Sequence, residues 1–218
     1  YLTDAKRYAR IIGPTSWMQH KTAEHYQFYP FMNIGHFALY PFVDARTKAQ
    51  LAGYYRDGIE HVIRRGQQNP YHVGVPFLWC SNNLVVAFIT QVLLYERMTG
   101  DMRYHLAMLA HRDWLLGRNP WGTSMFTGIP ENGEFPEDVH LPIVQIMKKL
   151  VPGGLVDGPI AAKTYNSLRG LHLNQPDEFE EFQTAELVYN DDVGDYSTNE
   201  PTMDGTADSI LMMALWTR

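Results

Sequence analysis

Cysteine is almost absent. Cys80 is the only one in 218 residues, which excludes an internal disulfide and any cysteine-based zinc cluster. Long apolar runs are missing as well. The longest, Leu84 to Ile89, falls far short of the ~20 residues a bilayer-spanning helix needs, so no membrane partner is expected. Positive charge is in deficit, with 18 Lys and Arg against 24 Asp and Glu and a net charge of −6. The basic residues are scattered or paired, as at Arg64-Arg65 and Lys148-Lys149. No basic stripe exists to follow a phosphate backbone, which argues against nucleic acid as a partner. Tyr1-Leu2-Thr3-Asp4 has neither the charged nor the apolar region of a signal peptide. Because the first residue is not Met, the sequence is expected to open within a longer protein.

What is present suits a packed core: 45% hydrophobic residues, 13% of all residues aromatic, and 19% charged. Helical periodicity dominates and period-2 alternation is scarce. Leu2, Ala5, Tyr8, Ala9 and Ile12 predict a helix over 2–12 that ends at Gly13-Pro14. Asp44 is suited to cap an amphipathic helix running to Arg65, with Arg46, Lys48, Arg56 and Arg64 on its solvated face. Ser81 or Asn82 would cap a helix over 84–98 that is apolar all round and therefore buried. Asp101 would cap another over 102–116, with Met102, Leu106, Leu109 and Leu116 as its apolar stripe and His105 and His111 on its surface. A buried helix followed by an amphipathic one suits the two layers of an α/α barrel, and equally a plain helical bundle.

From Arg118 to Asp208 glycines and prolines accumulate between aromatic residues. So long a loop region is functional rather than structureless when it carries this many rings. A short helix is expected over 141–150, and an apolar C-terminal helix over 207–216 is expected to anchor in the core. The run Asp177-Glu178-Phe179-Glu180-Glu181 reads as a short solvated helix. His20 and His25 are five residues apart, not the i, i+4 spacing of a helical metal pair, and no metal site is expected.

The densest chemical segment is Tyr189-Asn190-Asp191-Asp192-Val193-Gly194-Asp195-Tyr196-Ser197-Thr198-Asn199-Glu200-Pro201. Carboxylates crowded beside aromatic rings raise one another's pKa, and a carboxyl kept protonated near neutral pH can act as a general acid. The composition alone fits a solvated or calcium-binding acidic loop better.

The spacing within this segment resembles the C-terminal active-site signature of glycoside hydrolase family 9, the cellulase family. Tyr189, Asp191, Tyr196, Glu200, Thr202 and Ala207 stand at the signature's positions, and Thr206 replaces its usual Asn. Leu116-Gly117-Arg118-Asn119-Pro120-Trp121-Gly122 is similar to the family's Leu-Gly-x-Asn-Pro-x-Gly turn. Ser124 to Gly128 is similar to Ser-x-Val-Thr-Gly, Trp79-Cys80-Ser81-Asn82 to Trp-Gly-Ser-Asn, and Gly153 to Pro159 to Gly-x-Leu-Val-x-Gly-Pro. The likeness is close over 79–216 and loose before it.

This resemblance implies an all-α (α/α)6 barrel. Residues 1–218 would form the C-terminal part of a single catalytic domain, roughly half of the barrel's helices, with long active-site loops. It implies an inverting glycosidase of bacterial type acting on a β-linked, β-1,4 glucan or related oligosaccharide, exported to the periplasm or beyond, with no cofactor. Glu200 would be the general acid, Asp191 would share its site, and Tyr196 would lie beside the sugar. The family's base belongs to an Asp-Ala-Gly-Asp-like motif that this sequence lacks. The N-terminal remainder of the domain would supply that base, ~6.5–9.5 Å from the acid. Alone, the chain would be inert, with an open apolar face. Where the family carries a sugar-gripping His-x-Arg, this sequence has Asp138 and His140. An imidazole does not reproduce a guanidinium fork, so an amino sugar is an alternative substrate, and a binding protein without turnover is another reading. His140 could also be a loop histidine bonded to backbone. Trp121 and Phe135 are the better candidates for stacking on sugar rings, ahead of Trp79 and Phe126.

Overall fold

A computed structural model describes residues 1–13 and 29–217; His20 and His25 lie outside the described residues. The described chain is almost entirely helix and loop. In order it comprises α1 (Leu2–Ile12), α2 (Tyr29–Leu39), a 3-10 turn (Tyr40–Phe42), α3 (Ala45–Gly66), α4 (Ser81–Thr99), α5 (His105–Leu115) and α6 (Pro142–Met147). There follow β1 (Ile160–Ala161), α7 (Ala162–Tyr165), a 3-10 turn (Glu180–Phe182), β2 (Leu187–Val188) and α8 (Met203–Trp216). The two short strands pair antiparallel, Ile160 opposite Val188. No described helix is long and apolar enough to cross a membrane.

Two compact units divide the chain. The first takes residues 1–75, 87–111 and 211–218, and the second 76–86 and 112–210. In the first, α1 ends where the glycine and proline predict. Asp44 caps α3 as expected, its carboxylate accepting the Thr47 N–H at 2.9 Å and pairing with Lys6 at 2.8 Å, which holds it below the ordinary carboxylate range. The buried stripe of α3 is Leu51, Tyr55, Ile59 and Val62, at helical spacing. Ala9, Val43 and Leu51 form one small core with Leu39, Tyr40 and Tyr54 against it. On the outer side of α1, Leu2, Tyr8, Ile11 and Ile12 are exposed.

The all-round apolar reading of α4 holds, with every residue from Ser81 to Glu96 buried. Its start differs. Ser81 and Asn82 sit inside the first turn and cap nothing. Ser81 Oγ donates to the Pro159 carbonyl (2.6 Å) and Asn82 Nδ2 to that of Val156 (2.9 Å), so both side chains tether a neighbouring loop strip.

Helix α5 corrects the sequence reading more sharply. Leu106 of the expected stripe is 80% exposed, and Met102 and Leu116 are exposed too. The buried line is instead Tyr104, Met108, His111 and Leu115. The sequence offers apolar residues on more than one face, and a histidine takes the seam position that an apolar side chain was expected to hold. His111 is fully buried, its ring 4.0 Å from that of Phe88. Its Nδ1 lies 2.8 Å from the Ala107 carbonyl and must therefore donate, while Nε2 accepts the Gly74 N–H at 3.2 Å. Both nitrogens are satisfied only in the neutral ring, and burial pushes its pKa down to about 4. Because the folded value lies below the ordinary ~6.5, proton uptake favours unfolding. This group's contribution to stability is present above pH 6.5 and is lost as pH falls toward 4. Histidine 15N NMR at pH 6 is expected to find the neutral Nδ1–H tautomer; an imidazolium signal for His111 in the folded protein would contradict the packing.

Helix α8 is likewise buried on one side only. Asp208, Ser209 and Met212 face inward, and Met203, Ile210 and Met213 are exposed. The expected 141–150 helix is shorter, stopping at Met147 because Lys148 turns left-handed (φ 51°).

Candidate active site

All the candidate residues fall in the second unit. The segment 189–201 is irregular, and its own side chains hold it in shape. Asp195 is completely buried. Its Oδ1 accepts from Ser197 N (2.8 Å), Ser197 Oγ (2.6 Å) and Thr198 N (3.1 Å), and its Oδ2 from Thr198 Oγ1 and Asn190 Nδ2, each at 2.8 Å. Asp192 is buried as well, but backbone N–H groups of Asn174, Gly194 and Gln175 outweigh that burial and hold its pKa below the ordinary value. These two aspartates are turn-builders. At Asp192 the N–H donors overturn the rise that crowding leads one to expect.

Asp191 differs. Oδ2 accepts the Glu137 N–H at 2.7 Å, and Oδ1 accepts the Asp138 N–H at 3.1 Å and Asn199 Nδ2 at 2.8 Å. Burial outweighs these donors and lifts the carboxyl to about 6. Asp191 therefore ties the 136–140 loop to the 189–201 segment and carries a proton affinity shifted toward neutrality.

Glu200 is half-buried and makes no side-chain hydrogen bond or ion pair among the described residues. Its backbone, by contrast, is fixed. The Asp157 N–H donates to the Glu200 carbonyl at 3.0 Å, Val156 bridges Pro201, and the His140 N–H donates to the Asn199 carbonyl at 3.0 Å. A rigid base under an unpaired carboxyl is the arrangement a proton donor needs. Thr206, the departure from the signature, supplies polar chemistry of its own: its hydroxyl accepts the Leu155 N–H at 3.1 Å.

A cavity of about 260 Å³ opens beside Asp191. Four sequence-chosen residues, Asp191, Asp138, Trp121 and Phe135, line it together with Glu134, Glu137, Glu178 and Phe179. Glu178 corrects the sequence reading of its acidic run, which forms only a 3-10 turn at 180–182. Burial and neighbouring Asp138 and Asp177 raise its pKa. The only available signal was a phenylalanine inside an acidic run, and Phe179 does pack on Tyr189, with ring centroids 5.8 Å apart.

The remaining candidates lie elsewhere. Tyr196 packs between Trp79 (5.8 Å) and His140 (6.3 Å, edge-on), its hydroxyl donating to the Arg169 carbonyl at 2.9 Å. His140 Nδ1 bonds the Val193 carbonyl at 2.5 Å, the backbone-bound alternative. Neither Tyr196, His140 nor Glu200 is among the residues lining the cavity. Trp121 is only 5% exposed, wedged against Trp114 and Tyr189, with its indole N–H on Gln183 Oε1. Only a small part of the ring can meet a ligand, whereas Trp79, ranked lower from sequence, is 37% exposed.

The sequence model of glycosyl hydrolase family 9 matches residues 1–213, reaching back over the N-terminal third where the motifs are loose. Among solved structures, the chain is similar to AaCel9A in complex with cellobiose-like isofagomine, with a TM-score of 0.65 and 18% identity, covering 97% of this chain and 40% of that one. It is also similar to a single-mutant thermostable endoglucanase from Alicyclobacillus acidocaldarius, with a TM-score of 0.65 and 19% identity, covering 96% of this chain and 39% of that one. These likenesses carry the fold, and the chain spans about 40% of the length of the structures it matches. No curated protein matches.

Proposed function

Because this chain belongs to glycosyl hydrolase family 9, we propose that it carries the acid half of an inverting glycoside-hydrolase site acting on a β-linked, β-1,4 glucan. Glu200 is the general acid that protonates the departing glycosidic oxygen. Asp191 holds the loop beneath it and shapes the local charge. Tyr196, with Trp79 beside it, offers aromatic surface to the sugar. The base is an aspartate outside these 218 residues, ~6.5–9.5 Å away across a water-sized gap, and the protein acts outside the cytoplasm.

The observation that carries this reading is Glu200 itself, fixed through its backbone on both sides while its carboxyl has no partner among the described residues. Structural carboxylates in the same segment, Asp192 and Asp195, are saturated with donors. The test is the stereochemistry of the first product. In the full-length protein, 1H NMR of β-glucan cleavage is expected to show the α-anomer appearing first and the β-anomer only by mutarotation. A β-anomer formed first rejects the inverting assignment.

A second reading of the substrate rests on the cavity wall. Its lining includes Glu134, Glu137, Asp138, Glu178 and Asp191 and no Lys, Arg or His. An ammonium group on a hexosamine would be attracted there by charge, whereas a neutral glucose hydroxyl can only donate a hydrogen bond to these carboxylates. Comparing turnover of cello-oligosaccharides with that of chitosan oligosaccharides separates the two. Preference for the amino sugar, weakened by salt, favours the second.

A further inference from the structure

Asp157 is a fully buried carboxylate that the proposed reaction leaves without a role and that, unlike Asp195, is not saturated with donors. It is 0% exposed, and Oδ1 accepts from the Cys80 thiol at 3.0 Å. Oδ2 has no hydrogen-bond partner among the described residues. Buried polar atoms are almost always paired, and an exception calls for an explanation.

The surroundings supply one. The strip 156–159 lies between the start of α4 and the segment carrying Glu200. On one side, Asn82 N–H donates to the Asp157 carbonyl (2.9 Å) and Asn82 Nδ2 to that of Val156 (2.9 Å). On the other, Asp157 N–H donates to the Glu200 carbonyl (3.0 Å) and Gly158 N–H to that of Thr198 (2.9 Å). Gly158 has φ 86°, and a Cβ there would meet the Asn82 side chain at 2.3 Å. Cys80 itself holds a left-handed backbone, φ 55°, which is uncommon for a residue other than glycine. The strained backbone at Cys80 thus places its thiol where it donates to a buried carboxyl.

We propose that Asp157, clamped by Cys80, is a positioning residue for Glu200: its neutral carboxyl keeps the 156–159 strip seated, and its ionisation unseats that strip and the proton donor with it. The inference rests on the assignment of Glu200 as the acid. Ionised, Asp157 would place a charge in a dry site with one oxygen unmatched. Among the described residues, the charged groups acting on it, Glu200 and Asp195 on the active-site segment and Asp204 on α8, are all acidic and disfavour that charge. Burial is the main reason the carboxyl is lifted to about 8, so it is neutral across the pH range in which a glycosidase acid must keep its proton.

Turnover then depends on two protons, one on Glu200 and one on Asp157. In the full-length enzyme, the alkaline limb of log kcat against pH is expected to steepen toward a slope of about −2 in the wild type. In Asp157→Asn it is expected to fall with a slope of about −1, with KM within about 2-fold of wild type. Cys80→Gly suits the left-handed backbone and removes the thiol donor. It is expected to move the steeper descent to higher pH, and it decides the matter if the Asn variant does not fold. Superimposable limbs, or a change in Tm with no change in the kcat profile, overturn the proposal. Glu200→Gln is measured alongside. If it is inactive while the Asp157 limbs coincide, only this inference fails; if it turns over normally, the acid assignment fails and takes this inference with it.

Discussion

Glu200→Gln in the full-length protein is expected to lower kcat on an unactivated oligosaccharide by at least ~10²-fold, the usual contribution of general acid catalysis. The substitution is isosteric. It leaves the backbone bonds from Asp157 to Glu200 and from His140 to Asn199 in place, and it breaks no side-chain bond among the described residues. On the proposed acid role, what it removes is the transferable proton. Affinity for the oligosaccharide, measured by calorimetry, should therefore stay near the wild-type value. A substrate with a dinitrophenyl leaving group needs no protonation and should lose far less rate than an ordinary glycoside. Equal losses on both substrates point to a disturbed site. A wild-type rate on the ordinary glycoside rejects the acid role.

Asp191→Ala is expected to cost about 2–4 kcal/mol of stability and most of the activity, since each hydrogen bond lost costs about 0.5–1.5 kcal/mol net. Three donors lose their acceptor: the backbone N–H groups of Glu137 and Asp138, and Asn199 Nδ2. The 136–140 loop then has no anchor on the active-site segment, and Phe135 and Asp138 lose their places in the cavity wall. Asp191→Asn keeps one acceptor oxygen and should fall between Ala and wild type in thermal unfolding. An Ala variant as stable as wild type contradicts the anchoring role. The pH dependence has a defined sign. The folded carboxyl sits at about 6, above the ordinary ~3.9, so the folded state binds the proton more tightly. Through this group stability falls as pH rises from about 4 to 6 and levels off above. His111 acts in the opposite sense over nearly the same window.

Much of the local architecture is legible in the sequence. Gly13 and Asp44 mark helix ends through backbone geometry and side-chain capping, which act over a few residues. The apolar run through α4 forces burial whatever surrounds it. The fixed gaps among Tyr189, Asp191, Tyr196 and Glu200 point to the family, and the family match over residues 1–213 bears that out. These features are written in short stretches of chain, and short stretches can be read.

What tertiary structure alone decided involves partners far apart in sequence. The sequence cannot say that Asp191 spends its oxygens on Glu137 and Asp138, more than fifty positions away. Nor can it say that Asp195 is a sealed turn-builder while Glu200, five residues on, keeps an unpaired carboxyl. The buried seam of α5 runs through His111 because Phe88 and the Gly74 amide meet the imidazole there, a match of shape and donor that periodicity does not encode. Asp157 falls at an unspecified position of the Gly-x-Leu-Val-x-Gly-Pro motif, and only folding sets it against Cys80. Hydrophobic pattern and capping chemistry are one-dimensional properties. Desolvation and hydrogen-bond partnership, which set the proton affinity of each carboxyl, exist only once the chain has closed around it.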